Sequence, residues 1–94
     1  MSGLKKEFVT QRDLNEMAQE KNSIRVGSTV DPQQRAYQYQ AEGYAGTMFV
    51  AKTANMLLAE DKLLEHQTRH NVHMRSNAPN DEGFVYVIKG RKMR

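Results

Sequence analysis

A single acidic residue stands among apolar residues in the segment 56–64, which has the pattern of an amphipathic helix. The positions three and four residues before and after Glu60 are all apolar: Met56, Leu57, Leu63 and Leu64. Residues at these spacings share one face of a helix, so the Glu60 carboxylate is predicted to point toward the core. Such a carboxylate needs a cation, a hydrogen-bond donor or a bound proton, which makes Glu60 a candidate metal ligand. The alternative is a glutamate at the helix rim that reaches solvent or pairs with Arg35 or Lys62.

The block 25–35 contains a second candidate group, an arginine placed after a tight turn. Asp31 and Pro32 are typical of a helix start, because aspartate caps the first turn and proline suits the first helical position. Arg35 follows in that first turn, and its planar guanidinium suits phosphate oxygens. Tyr39 lies on the same helix face and can hydrogen-bond a phosphate or a water. Gly27, in the preceding strand, permits a close approach to the backbone. The alternatives are an ordinary exposed arginine and a half-buried packing tyrosine.

The elements that must position these residues follow from periodicity and from turn residues. Residues 1–9 are predicted to be a loose lead-in. The predicted elements are helices over about 11–21, 31–42 and 53–68, strands over 24–28, 44–52 and 84–88, and a brief strand over 71–75. This order predicts a small single-domain α/β sandwich, with a mixed or antiparallel three-stranded sheet flanked by about three helices.

Length and composition limit the classes of protein to consider. A chain of 94 residues is expected to form one domain, and without cysteine it has no disulfide or thiolate metal site. We find neither an apolar run of the roughly 20 residues that a membrane span needs nor a signal peptide. We therefore expect an intracellular protein, cytoplasmic or nuclear, without a membrane partner. The net charge of +3 favours a polyanionic partner. The excess of positive charge concentrates at the two ends of the chain, in Lys5, Lys6, Lys89, Arg91, Lys92 and Arg94.

Together these blocks resemble the GIY-YIG nuclease superfamily. In its members a strand with a Gly-Ile-Tyr-like element precedes a strand with Tyr-Ile-Gly, a helix with an essential arginine, a third strand and a helix with an essential glutamate. Residues 25–29 (Arg-Val-Gly-Ser-Thr) resemble the second strand, and residues 31–35 (Asp-Pro-Gln-Gln-Arg) resemble the start of the arginine helix. Residues 57–64 (Leu-Leu-Ala-Glu-Asp-Lys-Leu-Leu) resemble the glutamate helix, and residues 71–75 resemble the segment that follows it in excision-repair incision subunits.

The chain departs from the family pattern at two places. Arg25 stands where the second strand has its tyrosine, and no first strand precedes the second. Residues 83–89 (Gly-Phe-Val-Tyr-Val-Ile-Lys) resemble that first strand, displaced to the C-terminal end. Circular permutation explains the displacement, because domain termini are often close together. A homodimer formed by strand exchange is the alternative. Either arrangement predicts that residues 84–88 pair antiparallel with residues 24–28.

The resemblance implies a metal-dependent endonuclease that hydrolyses phosphodiester bonds. Glu60 would hold one Mg²⁺ or Mn²⁺, and Arg35 would stabilise charge on the scissile phosphate. Tyr86 would position or deprotonate the attacking water, with Tyr39 as a substitute for the missing tyrosine. These side chains should meet at one concave surface, with Gly27 at its floor.

The implied partner is nucleic acid. The sequence does not distinguish DNA from RNA, and the resemblance favours DNA. The expected nucleic-acid contacts are Arg25, Gly27, Lys89, Arg91 and Lys92. Since Arg25 replaces a tyrosine and cannot act as a base, the alternative is a catalytically inactive nucleic-acid-binding module on the same fold. A protein-interaction domain is a further alternative, which would need an exposed apolar patch that the sequence does not clearly show.

Overall fold

A computed structural model describes residues 3–67 and 76–93, which form a mixed four-stranded sheet and three helices. In chain order the elements are β1 (Leu4–Phe8), α1 (Gln11–Met17), β2 (Ser23–Thr29), α2 (Pro32–Ala41), β3 (Tyr44–Thr53), α3 (Met56–Gln67) and β4 (Gly83–Lys92). The strand order across the sheet is β1-β3-β4-β2. The predicted α/β class is confirmed, and the predicted strand over 71–75 lies outside the described residues.

The sheet has four strands within the described residues, so the prediction of three was wrong. Residues 4–8, taken from the sequence as part of a loose lead-in, form β1 and pair parallel with β3 from Leu4 opposite Gly46 to Phe8 opposite Val50. Four of the five residues of β1 are exposed. An edge strand of this kind lacks the alternation of apolar and polar residues by which half-buried strands are recognised. Its charged residues are typical of a protected sheet edge.

Strand β4 occupies the centre of the sheet between β3 and β2. It pairs antiparallel with both, and its register with β2 sets Val85 opposite Ser28 and Tyr86 opposite Gly27. The predicted antiparallel pairing of 84–88 with 24–28 is therefore confirmed, between two strands of the same chain. The run from Val85 to Ile88 is fully buried, which explains why it is the most strand-like segment of the sequence.

The two faces of the sheet carry separate cores. Helices α1 and α3 pack on the face that contains Val85 and Val87. Helix α2 packs on the other face, which contains Tyr86 and Ile88. Alternate residues of a strand point to opposite faces, so β4 supplies both cores. None of the three helices, within the described ranges, is long and apolar enough to cross a membrane.

Local capping explains where the helices begin. Asp31 accepts a hydrogen bond from the Gln34 amide, and Pro32 takes the first position of α2, as the sequence predicts. Asn55 caps α3 by accepting from the Leu58 amide. Helix α1 ends at Met17 and continues as turns, so it is shorter than the predicted 11–21.

Candidate functional site

An open cleft of about 640 Å³ lies along the free edge of β2. Its walls come from both faces of the sheet, because α2 borders it on one side and α3 borders it on the other. Six of the residues singled out from the sequence line this cleft: Arg25, Gly27, Arg35, Tyr39, Glu60 and Tyr86. The segment 77–79 closes the side next to α3. The fold thus brings together residues that are up to 61 positions apart, from Arg25 to Tyr86.

Gly27 makes room for the hydroxyl of Tyr86 against the backbone of β2. A Cβ atom built on Gly27 would lie 2.2 Å from Tyr86 Oη. Because Tyr86 is fully buried, its ring cannot move aside freely. The glycine is therefore required for space between β2 and the phenol rather than for an unusual backbone angle.

We expect Gly27→Ala to destabilise the protein by about 1–3 kcal/mol, the usual cost of overpacking a buried site. Gly3→Ala is the matched control, because its Cβ would meet only the end of the Gln40 side chain, at 2.9 Å, and that side chain is exposed. Urea denaturation of both variants measures the difference. Equal stabilities would show that Tyr86 does not need the space at Gly27.

Two tyrosines and two arginines form a connected group on the α2 side of the cleft. Tyr39 Oη and Tyr86 Oη share a hydrogen bond of 2.6 Å. Arg35 Nη1 donates to Tyr86 Oη at 3.3 Å. The Arg25 guanidinium lies 5.7 Å from the centroid of the Tyr39 ring, in cation–π range. The two guanidiniums therefore flank a pair of phenols at the cleft wall.

Tyr86 is held in its neutral form. Burial raises the pKa of Tyr86 well above its ordinary value, and the hydrogen bond with Tyr39 raises this pKa further, against the opposing effect of Arg35. A phenol in this state keeps its proton at neutral pH. Of the two roles expected for Tyr86, the raised pKa favours positioning a water over deprotonating it.

The raised pKa of Tyr86 predicts a loss of stability in alkaline solution. The unfolded chain loses this proton near pH 10 while the folded protein keeps it, so unfolding becomes easier as pH rises above about 10. Ionisation of Tyr86 in the unfolded chain lowers the free energy of unfolding by about 1.4 kcal/mol for each pH unit in this range. We expect Tyr86→Phe to remove this part of the slope in urea denaturation between pH 8 and 11.5. Tyr37→Phe changes an exposed tyrosine of α2 and should keep the full dependence of stability on pH. Equal slopes in the two variants would show that the alkaline loss of stability does not come from Tyr86.

Glu60 is partly exposed and is held by two serine hydroxyls on the α3 side of the cleft. Ser28 Oγ donates to Glu60 Oε1 at 2.6 Å, and Ser76 Oγ donates to the same oxygen at 3.1 Å. Among residues 3–67 and 76–93, no salt bridge joins Glu60 to Arg35 or Lys62. Hydroxyl donors, rather than an ion pair, thus compensate the carboxylate within the described chain.

Neither serine was among the site residues predicted from the sequence. A signal for Ser28 was present, since it follows Gly27 in β2 and must therefore point to the opposite face, toward α3. Ser76 offers no comparable signal, because its position 16 residues after Glu60 specifies no contact. The carboxylate was therefore predictable from the sequence, whereas the hydroxyls that bind it were not predicted.

The donor set of the cleft fits a hydrated hard cation. Glu60 is the one carboxylate among the described residues that line the cleft. The described ranges contain no group of three or more acidic or histidine side chains that could surround an ion. Magnesium usually accepts one or two carboxylates and completes its shell with waters and substrate phosphates. Glu60 therefore fits Mg²⁺ or Mn²⁺ as the one carboxylate ligand that the described residues offer at this cleft.

Three basic residues that the sequence analysis assigned to nucleic-acid binding lie outside the cleft. Lys89 pairs with Glu20 and lies over the Phe49 ring. Lys92 lies over the Tyr44 ring. Arg91 borders a second cleft at the other end of the sheet, together with Lys5. Their contact with nucleic acid stays a prediction.

Comparison of the chain with protein-family models, with curated proteins and with solved structures finds no match. The resemblance to GIY-YIG nucleases therefore remains a hypothesis. Its basis is the motif order in the sequence together with the position of Arg35, Tyr86 and Glu60 around one cleft.

Proposed function

We propose that this protein is a metal-dependent endonuclease of the GIY-YIG type, with the first strand of the family displaced to β4. The observation that carries the proposal is the cleft at the edge of β2, where two arginines, two tyrosines and one carboxylate of the described residues meet. Guanidinium and carboxylate groups around an open cleft suit a phosphodiester, whose reaction needs charge stabilisation more than covalent chemistry from the protein.

Arg35 would bind the scissile phosphate. Its guanidinium is oriented by the hydrogen bond to Tyr86 Oη, and its remaining donors can reach the phosphate oxygens that gain charge in the transition state. Arg25 lies at the other end of the phenol pair and would bind a neighbouring phosphate of the same strand. The substitution of arginine for the family's tyrosine thus adds phosphate affinity.

The two phenols would orient the attacking water. Tyr86 keeps its proton because burial raises its pKa, so it acts as a hydrogen-bonding group and not as the base. Tyr39 shares the 2.6 Å hydrogen bond with Tyr86 and would serve as the second functional phenol. Both rings are at least nine-tenths buried, which keeps their hydroxyls in one position.

Glu60 would hold Mg²⁺ or Mn²⁺ on the opposite wall of the cleft. The bound ion supplies Lewis-acid stabilisation of the phosphate and of the leaving oxygen. The carboxylate is preformed for this purpose, since the hydroxyls of Ser28 and Ser76 hold it in place.

The direct test is nicking of supercoiled plasmid by the wild-type protein with Mg²⁺, with Mn²⁺ and with EDTA. Single-stranded DNA and RNA should be assayed in parallel, because the cleft does not distinguish these substrates. We expect cleavage with either cation and none with EDTA. Binding of all three nucleic acids without cleavage of any, at saturating protein and cation, would refute the endonuclease.

The second candidate function is a nucleic-acid-binding module without catalysis. The neutral Tyr86 and the replacement of the family's tyrosine by Arg25 favour it, because neither residue can take a proton from water. This module would bind nucleic acid with an affinity that falls steeply as salt rises, since phosphate contacts release counterions. Steep salt dependence combined with absent nicking selects this function over the first.

A further inference from the structure

We propose that Ser28 and Ser76 are positioning residues, which fix Glu60 through Oε1 and thereby present Oε2 to the cation. The inference rests on the proposed function of the cleft. It assigns a role to two residues that the resemblance to the nuclease family does not single out.

Ser28 reaches Glu60 because of its place in β2. It pairs with Val85, whose side chain lies in the core beneath α1 and α3, so the Ser28 side chain points to the α3 face. Its Oγ donates to Glu60 Oε1 at 2.6 Å, a length typical of a hydroxyl bound to an ionised carboxylate. The sheet thus supplies the first of the two donors.

Ser76 is fixed by a set of bonds that leaves its hydroxyl proton for Glu60. Its amide donates to Asp61 Oδ1 at 2.6 Å, and its Oγ accepts from the Ala78 amide at 2.9 Å. A hydroxyl has one proton, and the backbone amide already donates to this oxygen, so the proton is directed to Glu60 Oε1. Ser76 is also nine-tenths buried, which restricts its rotation.

The segment that carries Ser76 is tied to the first turn of α3. The Met56 and Leu57 amides donate to the carbonyls of Asp81 and Pro79 at 2.8 and 3.2 Å. The helix that carries Glu60 and the segment that carries Ser76 are therefore held together at two points. These two backbone hydrogen bonds restrict the movement of Ser76 relative to α3, and they help to keep the Ser76 hydroxyl within reach of Glu60 Oε1.

Both donors bind the same carboxylate oxygen, and this determines how Glu60 can meet an ion. Oε1 is occupied by two hydroxyls, whereas no other described residue donates a hydrogen bond to Oε2. Groups that hydrogen-bond a metal ligand fix its orientation, and their loss typically weakens metal affinity about 10- to 100-fold. We therefore expect each serine to control ion affinity without touching the ion.

The test measures Mn²⁺ affinity by electron paramagnetic resonance and by calorimetry, without nucleic acid. Ser28→Ala and Ser76→Ala should each weaken Mn²⁺ binding by about 10-fold or more. Ser28→Thr and Ser76→Thr, which retain a hydroxyl, should restore most of the affinity. Thr47→Ala is the control, because this hydroxyl lies at the second cleft and not at the site. Circular dichroism checks that each variant is folded. If the alanine variant of one serine does not fold, the Mn²⁺ affinities of the alanine and threonine variants of the other serine test the proposal.

The outcomes separate this proposal from the proposed function. If Glu60→Gln abolishes Mn²⁺ binding while both alanine variants bind like wild type, the positioning role is refuted and the metal role of Glu60 in the proposed function is supported. If the alanine variants weaken binding but threonine does not restore it, the hydroxyls are not the cause and the positioning role is likewise refuted. If the wild-type protein binds no Mn²⁺, or Glu60→Gln binds it unchanged, the metal role of Glu60 fails and this inference fails with it.

Discussion

Glu60→Gln is expected to reduce cleavage by at least about 100-fold while the protein stays folded and binds nucleic acid. A metal ion contributes several kcal/mol of transition-state stabilisation, and each 1.4 kcal/mol is a factor of ten in rate. Glutamine keeps the shape of the side chain and an oxygen that can accept from Ser28 and Ser76, but it lacks the charge that holds the ion. Plasmid nicking at saturating protein, with Mg²⁺ and with Mn²⁺, measures the effect.

The stability of this variant distinguishes a metal ligand from a structural residue. Since no salt bridge joins Glu60 to Arg35 in the described chain, no cation is left without its partner, and we expect the free energy of unfolding to change by less than about 1 kcal/mol. Glu16→Gln makes the same change of charge at an exposed position of α1 and serves as the control. A Glu60→Gln protein that nicks at the wild-type rate would remove Glu60 from the mechanism.

Arg35→Ala is expected to lower cleavage by about 10²–10³-fold, the usual effect of removing one preorganised donor from a developing oxyanion. Arg35→Lys keeps the charge but loses the planar fork that binds two phosphate oxygens, so it should recover only part of the activity. Both variants also lose the bond from Nη1 to Tyr86 Oη, which should cost about 1 kcal/mol of stability. Single-turnover cleavage rates and denaturation curves separate these two effects.

Arg12→Ala provides the control for Arg35, because Arg12 is exposed on α1 and does not line the cleft. Its removal takes away the same charge and should leave the cleavage rate near wild type. If Arg35→Ala and Arg12→Ala lower cleavage equally, the effect comes from net charge and not from the position of Arg35.

Local signals in the sequence were sufficient to predict most of the elements and the main candidate residues. The Asp31-Pro32 pair marks the start of α2 because capping and proline geometry act within one turn. The apolar run from Val85 to Ile88 marks a buried strand, and its pairing with β2 was predicted correctly. Glu60 stands out because helix periodicity alone places it among apolar neighbours.

Only the tertiary structure decided which residues meet, because contacts between distant segments depend on strand register and helix packing. Ser28 lies 32 residues from Glu60, and Tyr39 lies 47 residues from Tyr86, yet each pair shares a 2.6 Å hydrogen bond.

Strand β1 was missed because an exposed edge strand carries no apolar alternation. Three basic residues at the end of β4 follow the buried run 85–88 closely in sequence but lie away from the cleft: Lys89, Arg91 and Lys92. They lie there because β4 continues past the cleft toward the opposite end of the sheet. Composition and periodicity thus determined the elements and the chemical groups, and the register of β4 between β2 and β3 decided which groups surround the cleft.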